Sequence, residues 1–302
     1  MKFALFLGCN IPARLEQYES SSRAILGRLG VELVDIADFN CCGYPIRNID
    51  YKTSVLSAAR NLALAEREKL NMLVLCKCGY GMLKKASHVL REYPSMREDV
   101  NAILKKEGLE FRGTTEIKHL LSVLYHDVGT EAIKEKITKP YSELKIATHY
   151  GCHALRPSEI VQFDDPVNPT LFDKLVEATG AESIYWQSRL ECCGAPLFGT
   201  NDELSMDLAG KKLADAKQSG ADYLCNACPY CQIQFDTVQR IMMSARGENH
   251  ALPSILYPQL LGLSMGIDRK VLGLGMNQID VTGIEGFLSE RETSVGNENK
   301  NV

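Results

Sequence analysis

The chain has 302 residues, 45% of them apolar and 24% charged, with a net charge of −4. That length and apolar share predict a folded protein of two domains, and the slight acidity gives no electrostatic footprint for nucleic acid or an anionic membrane. Its eleven cysteines, odd in number in a long apolar-rich chain, argue against a secreted disulfide framework and for a reduced cytoplasmic setting, and no apolar run approaches the ~20 residues of a membrane span.

The first apolar run, KFALFLGCN (2–10), reads as a buried strand that delivers Cys9 from its C-terminal end. Leu-Gly-Cys also has the form of a lipoprotein cleavage site. The stretch before Cys9 is only about half of a normal leader, so Cys9 is not expected to carry a lipid. A helical pattern, ESSSRAILGRLG (19–30), leads to a second strand-like run that ends in Cys-Cys-Gly, VELVDIADFNCCGYP (31–45). After the helical SVLSAARNLALAEREKL (54–70) comes a third, NMLVLCKC (71–78), which carries Cys76 and Cys78. Residues 85–143 are polar and mostly helical in pattern.

The same order then repeats. LKIATHYGCH (144–153) presents Cys152, and AESIYWQSRLECCGAP (181–196) presents Cys192, Cys193 and Gly194. ADYLCNAC (221–228) opens onto Cys225, Cys228 and Cys231, with helical patterns at 169–180 and 202–220 between the strands. The offsets are 143 from Cys9 to Cys152, 151 from Cys42 to Cys193 and 150 from Cys78 to Cys228. They are regular in order and loose in value, as two homologous domains require. Gly30, Gly180 and Gly220 sit where helix C-caps belong. The expected fold is α/β, with two pseudo-symmetric domains, each a small, mainly parallel sheet flanked by helices. The domains are expected over 1–135 and 136–287, with the Glu-, Asn- and Ser-rich 288–302 as a disordered tail. Ligands of such sheets gather at the strands' carboxyl ends, where these thiols can meet.

Structural zinc takes four ligands, fewer than the five or six thiols in each half. A thioredoxin-like dithiol accounts for Cys228-Pro-Tyr-Cys231 alone. Cysteines used as small hydrophobes do not explain an adjacent pair followed by glycine, twice. The Cys225, Cys228, Cys231 spacing is ferredoxin-like but lacks the fourth cysteine followed by proline. An iron–sulfur centre fits best, because such clusters take several thiolates. Side chains of adjacent cysteines point apart, so one pair can reach two irons of a cluster.

These motifs, with HYGCHALRPS (149–158) and ILYPQLLGLSMGID (255–268), resemble the CCG family, and within it the B subunit of heterodisulfide reductase, over nearly the whole chain. CCGYPIRN and NQIDVTGIEGFL resemble the branch of sulfur-metabolising bacteria. The resemblance implies two non-cubane [4Fe-4S] clusters, one per half, facing each other across a site where a disulfide is split or where sulfane sulfur from a carrier protein is oxidised. It also implies a C-like iron–sulfur subunit and an A-like flavin subunit as partners. A non-catalytic electron-transfer subunit is the alternative, since CCG domains also occur in other oxidation complexes. Carried over by position, the second ligand set is Cys152, Cys192, Cys193, Cys228 and Cys231, with Cys225 an extra thiol nearby. The first is Cys9, Cys41, Cys42, Cys76 and Cys78, where the family's Cys-x-x-Cys is altered. Aligning LCKCGYG with LCNACPYC by a one-residue deletion pairs Cys76 with Cys225, Cys78 with Cys228 and Gly81 with Cys231, and so expects Cys78 as a displaced ligand.

His149 and His153 flank Cys152 and are candidates to supply a proton as a thiolate leaves; a hydrogen bond to sulfur is the plainer role for either. Arg47, Arg156 and Arg189 lie near cysteines and are candidates for an anionic substrate tail. No Gly-rich dinucleotide fingerprint follows any strand, so electrons are expected from a partner. The apolar YPQLLGLSMG (257–266) packs either on its own domain or against another subunit.

Overall fold

In the computed structural model, which describes residues 1–247 and 251–290, each half of the chain forms a four-stranded, all-parallel sheet. The first comprises β1 (Lys2–Phe6), β2 (Glu32–Val34), β3 (Asn71–Val74) and β4 (Ile117–His119), in the order β2-β1-β3-β4. The second comprises β5 (Lys145–Thr148), β6 (Glu182–Ile184), β7 (Tyr223–Asn226) and β8 (Ser254–Leu256), in the order β6-β5-β7-β8. The fold is therefore α/β with two pseudo-symmetric halves. Both β1 and β5 are central strands covered on both faces, which is why they read as unbroken apolar runs.

The helices begin and end on local signals. Tyr51–Arg67 starts at Asp50, whose carboxylate accepts the Thr53 N–H, and Asp202–Gln218 starts at Asn201, which accepts the Leu204 N–H. Glu16–Arg28 stops two residues before Gly30, which adopts a φ of +73° that a side chain would resist.

The apolar segment left open by the sequence is covered within the chain. All eight residues of the helix Tyr257–Ser264 are buried, and the helix packs against Glu16–Arg28 of the first half. The Ser264 carbonyl also accepts the Thr138 and Lys139 N–H groups at 3.0 and 2.9 Å. Leu288 pairs with Tyr141, and the Ser289 N–H donates to the Pro140 carbonyl. Of the expected tail, 291–302 lies outside the described residues. Among the described residues no helix is long and apolar enough to cross a membrane.

The carboxyl edges of the two sheets face each other. Lys77, in the first half, is buried and donates from Nζ to the His149 and Tyr150 carbonyls, each at 2.9 Å. The Tyr80 hydroxyl donates to the Val161 carbonyl at 2.6 Å. These two contacts bring the cysteine loops of both halves to one seam.

Candidate metal centre

Each Cys-Cys-Gly turn needs its glycine for two reasons. Gly43 and Gly194 adopt φ of +83° and +85°, a left-handed conformation that costs other residues about 1–2 kcal/mol. Each also lies against the first turn of the following helix. A Cβ on Gly43 would run into the Ser54 carbonyl, and one on Gly194 would come within 2.7 Å of the Ser205 carbonyl. The glycine thus lets the helix press the cysteine pair toward the seam. In the first half Ser57 Oγ and Asn61 Nδ2 complete the hold by donating to the Cys41 carbonyl at 2.6 and 3.1 Å.

Ten of the eleven sulfurs form one connected set. Cys41 accepts hydrogen bonds from Cys42 and Cys9, which pull its pKa well down, and Cys192 is lowered in the same way by Cys152 and Cys193. Cys231 donates to Cys193 across 3.7 Å. At the seam burial disfavours a Cys228 thiolate, but hydrogen bonds from Cys231, Cys76 and Cys78 hold its pKa well below the usual thiol range. Cys228 thus links the sulfurs of both halves. Cys9 and Cys192 are exposed, and Cys42, Cys76, Cys78, Cys193, Cys228 and Cys231 are buried. Cys225 stands apart: it lies within β7 opposite Thr148 and Ile255, and burial raises its pKa.

The strand register corrects the alignment of the third cysteine group. Leu5 pairs with Leu73 in one sheet, and Thr148, the same four residues ahead of its Gly-Cys cysteine, pairs with Cys225 in the other. Counting onward, Cys76 corresponds to Cys228, Lys77 to Pro229, Cys78 to Tyr230 and Gly79 to Cys231. Both Cys76 and Cys228 are the residues that precede a helix, Lys77–Glu92 and Pro229–Gln232. No deletion is needed. Similar letters, LCKC and LCNAC, had suggested a register one turn of the loop away from the one that the backbone pairing imposes.

The histidines occupy different places. His149 is fully buried, and neither ring nitrogen has a hydrogen-bond partner among the described residues. Burial, with Lys212 and Lys77 nearby, holds its pKa well below the usual range, so the ring is neutral. It lies with Cys193 and Cys231, ligand atoms all within 4.8 Å of one another. His153 stands at the seam, its Nδ1 3.1 Å from Cys152 Sγ and 3.7 Å from Cys78 Sγ. Its ring meets Tyr44 edge-on at 4.9 Å.

Lys77 and Tyr44 escaped the sequence reading. A charged residue between two thiols was the signal for Lys77. Nothing in the sequence marks Tyr44, whose buried hydroxyl has no partner among the described residues. Of the arginines, Arg189 is held internally by Asn168 at 2.8 Å and Asp173 at 3.5 Å, and Arg47 lies 3.8 Å over the Tyr44 ring. Arg156 is exposed.

The donor set can be tested against the expected cofactor. Soft thiolates select zinc, copper(I) or iron–sulfur centres and not hard cations. Ten connected sulfurs exceed the four ligands of a zinc site in each half. An unpartnered buried imidazole beside Cys193 and Cys231 is a polar group that lacks the neighbour it is built for. The residues present fit a polynuclear iron–sulfur group.

Comparison with known proteins places this arrangement. The cysteine-rich CCG domain family matches residues 3–84 and 146–236, one copy per half. A Methanosarcina mazei protein, named as the B subunit of ferredoxin:CoB-CoM heterodisulfide reductase, is 38% identical over 98% of this chain and 99% of its own. A Wolinella succinogenes protein named 8-methylmenaquinol:fumarate reductase membrane anchor subunit is 35% identical over 93% of this chain and 98% of its own. A hypothetical protein from Helicobacter pylori of known structure has a TM-score of 0.75 at 19% identity, covering 93% of this chain and 52% of that one. That likeness concerns the fold.

Proposed function

The chain belongs to the CCG cysteine-rich domain family that includes the B subunit of heterodisulfide reductase, and from that premise we propose that it is the iron–sulfur subunit of an oxidoreductase complex acting on sulfur. Its substrate is a thiol/disulfide pair, or sulfane sulfur carried by a protein, as in dissimilatory sulfur oxidation. The observation that carries the reading is the meeting of sulfurs from both halves at one seam, where those of Cys76, Cys78 and Cys228 lie within 4.8 Å of one another.

Cys152, Cys192, Cys193, Cys228 and Cys231 would hold one [4Fe-4S] cluster of the non-cubane type, and Cys9, Cys41, Cys42, Cys76 and Cys78 a second. Such clusters supply electrons singly and offer irons that accept sulfur, and a pair of them matches the two electrons of a disulfide bond. The chain's own residues do the rest. Lys77 fixes the backbone of His149 and Tyr150, and so the loop that carries Cys152. His153 Nδ1, between Cys152 and Cys78, holds a proton where a thiol becomes a thiolate. Tyr44 and Tyr230, ring centroids 5.8 Å apart, close the seam against water. Exposed Cys9 and Cys192 mark the side that substrate reaches. Electrons pass to or from a C-like iron–sulfur subunit and an A-like flavin subunit in the cytoplasm.

Iron and acid-labile sulfide counted on protein purified without oxygen test the reading: about eight irons per chain are expected from one four-iron group in each half. Zinc in place of iron, with no labile sulfide, sinks it. The Wolinella relative favours a second reading, an electron-transfer subunit without sulfur chemistry. The two separate on the EPR signal, which a disulfide substrate changes under the first and leaves alone under the second.

A further inference from the structure

The two ligand sets are matched in sulfur and differ in what lies behind it. Each has five cysteines, of which one is exposed, Cys9 or Cys192, and one half-buried, Cys41 or Cys152. Neither thiolate number nor contact with solvent separates the halves. The helices Tyr51–Arg67 and Asp202–Gln218 are equally long and start eight residues after Gly43 and Gly194, so Lys212 takes the place of Asn61. Asn61 spends its amide on the backbone, donating to the Cys41 and Ser57 carbonyls and accepting the Asn40 N–H. Lys212 is buried, donates to the Ser188 carbonyl and holds its ammonium 4.7 Å from the centre of the Trp186 ring. The thiols within reach of its charge are Cys193, Cys231 and Cys192. Glu191, the acid beside it, is exposed and faces Lys211 at 3.7 Å.

Two further groups act in the same sense. Lys77 belongs to the first half, yet its Nζ reaches across the seam to the His149 and Tyr150 carbonyls, and the thiols around its charge are Cys231, Cys228, Cys225 and Cys152. Lys77 and Lys212 are the buried lysines among the described residues, and both carry their charge to sulfur of the second half. His149 has both ring nitrogens unpartnered, and one of them lies within 4.8 Å of the Cys193 and Cys231 sulfurs, where an N–H can point at sulfur. In the first half Phe6 stands in its place, packed edge-on against Phe39 at 5.3 Å. Resting on the iron–sulfur reading above, we infer that Lys77, Lys212 and His149 raise the reduction potential of the second half's cluster above that of the first, so that an electron shared by the two halves rests in the second. Positive charge and N–H groups beside sulfur favour the reduced, more negative state of such a centre, and their effect is greatest where water is excluded. The exchange oxidises the first half by one electron, reduces the second by one, and makes or breaks no bond. All three are positioning residues, acting through the surroundings of the sulfurs.

The test is a redox titration followed by EPR on protein purified without oxygen, with iron and acid-labile sulfide counted in each sample. Lys77 is left alone because it also braces the seam. Wild type is expected to show two midpoint potentials. Lys212→Met keeps the stem and removes the charge, and His149→Phe installs the first half's residue; each should lower the higher midpoint and leave the lower one in place. The reduction equilibrium is expected to fall about tenfold in Lys212→Met, which for a one-electron couple is about 59 mV. Lys212→Arg retains the charge and should retain the wild-type midpoint, which a packing role for the stem would not predict. Two positions are changed because either substitution can cost the protein its cluster, and each variant is read at wild-type iron content. A single midpoint in wild type overturns the inference, as do variants whose potentials do not move or in which the lower midpoint falls instead of the higher. Wild-type protein with neither iron nor sulfide overturns the cluster reading itself and is told apart by that.

Discussion

The two halves keep the same frame and differ in what hangs on it. Strand order, register, the left-handed glycine after each cysteine pair and the helix pressed onto it recur in both. The differences beside sulfur include Phe6 for His149, Lys77 for Pro229, Cys78 for Tyr230 and Gly79 for Cys231. Frame positions answer to backbone geometry, which a substitution breaks outright. Side chains beside the sulfurs answer to chemistry, which the halves have divided between them. The second half carries the full thiol set and an imidazole, and the first supplies the buried ammonium that joins the halves.

The frame is the place to break this comparison with the largest effect. Gly43→Ala and Gly194→Ala each combine left-handed strain with a clash into a helix backbone, and each should cost about 2–5 kcal/mol. In a chain of this size that lowers the thermal midpoint by roughly 5–15 °C. The closer approach at Ser54 makes Gly43→Ala the worse of the two. Circular dichroism melts of both variants check it, and a drop at one site without the other would end the equivalence of the two turns. Next comes the strut. Lys77→Met keeps the stem and removes the charge, leaving the His149 and Tyr150 carbonyls without their donor. A loss of about 2–4 kcal/mol follows from hydrogen bonds made by a charged group. Pro229→Ala, at the corresponding helix start, should cost under about 1 kcal/mol, since proline there mainly restricts the unfolded chain. Equal melts for these two variants would mean that the seam does not depend on Lys77.

What could be read from the sequence divides along the same line. Two repeats, parallel α/β order and the cysteine groups were legible because buried central strands such as FALF and KIAT are unbroken apolar runs and because Cys-Cys-Gly recurs. The fourth strands, IKH and SIL, were not: three residues show no period, and pairing beside β3 and β7 makes them strands. The register of the third cysteine group was misread for a related reason. Letters can slide past one another by a residue, whereas a parallel ladder that pairs Leu5 with Leu73 and Thr148 with Cys225 cannot. The partners of Lys77 lie in the other half of the chain, more than seventy residues away, which no local pattern encodes.

The smallest effect asks whether the halves unfold as one body. Tyr80 donates to the Val161 carbonyl across the seam at 2.6 Å, and Tyr257 donates to the Leu175 carbonyl within the second half at 2.9 Å. Both hydroxyls are buried, and replacing either tyrosine by phenylalanine removes a hydrogen bond worth about 1 kcal/mol while leaving a carbonyl unpaired. If the halves unfold together, as the burial of the helix Tyr257–Ser264 against Glu16–Arg28 requires, both variants lower one common melting transition by a similar few degrees. If the halves unfold separately, Tyr257→Phe lowers only a second-half transition, and Tyr80→Phe opens the seam while leaving both transitions in place. A single shared transition that responds alike to both changes would mean that the second half's full thiol set and the first half's ammonium belong to one cooperative unit, so that neither half can lose its part without the other registering it.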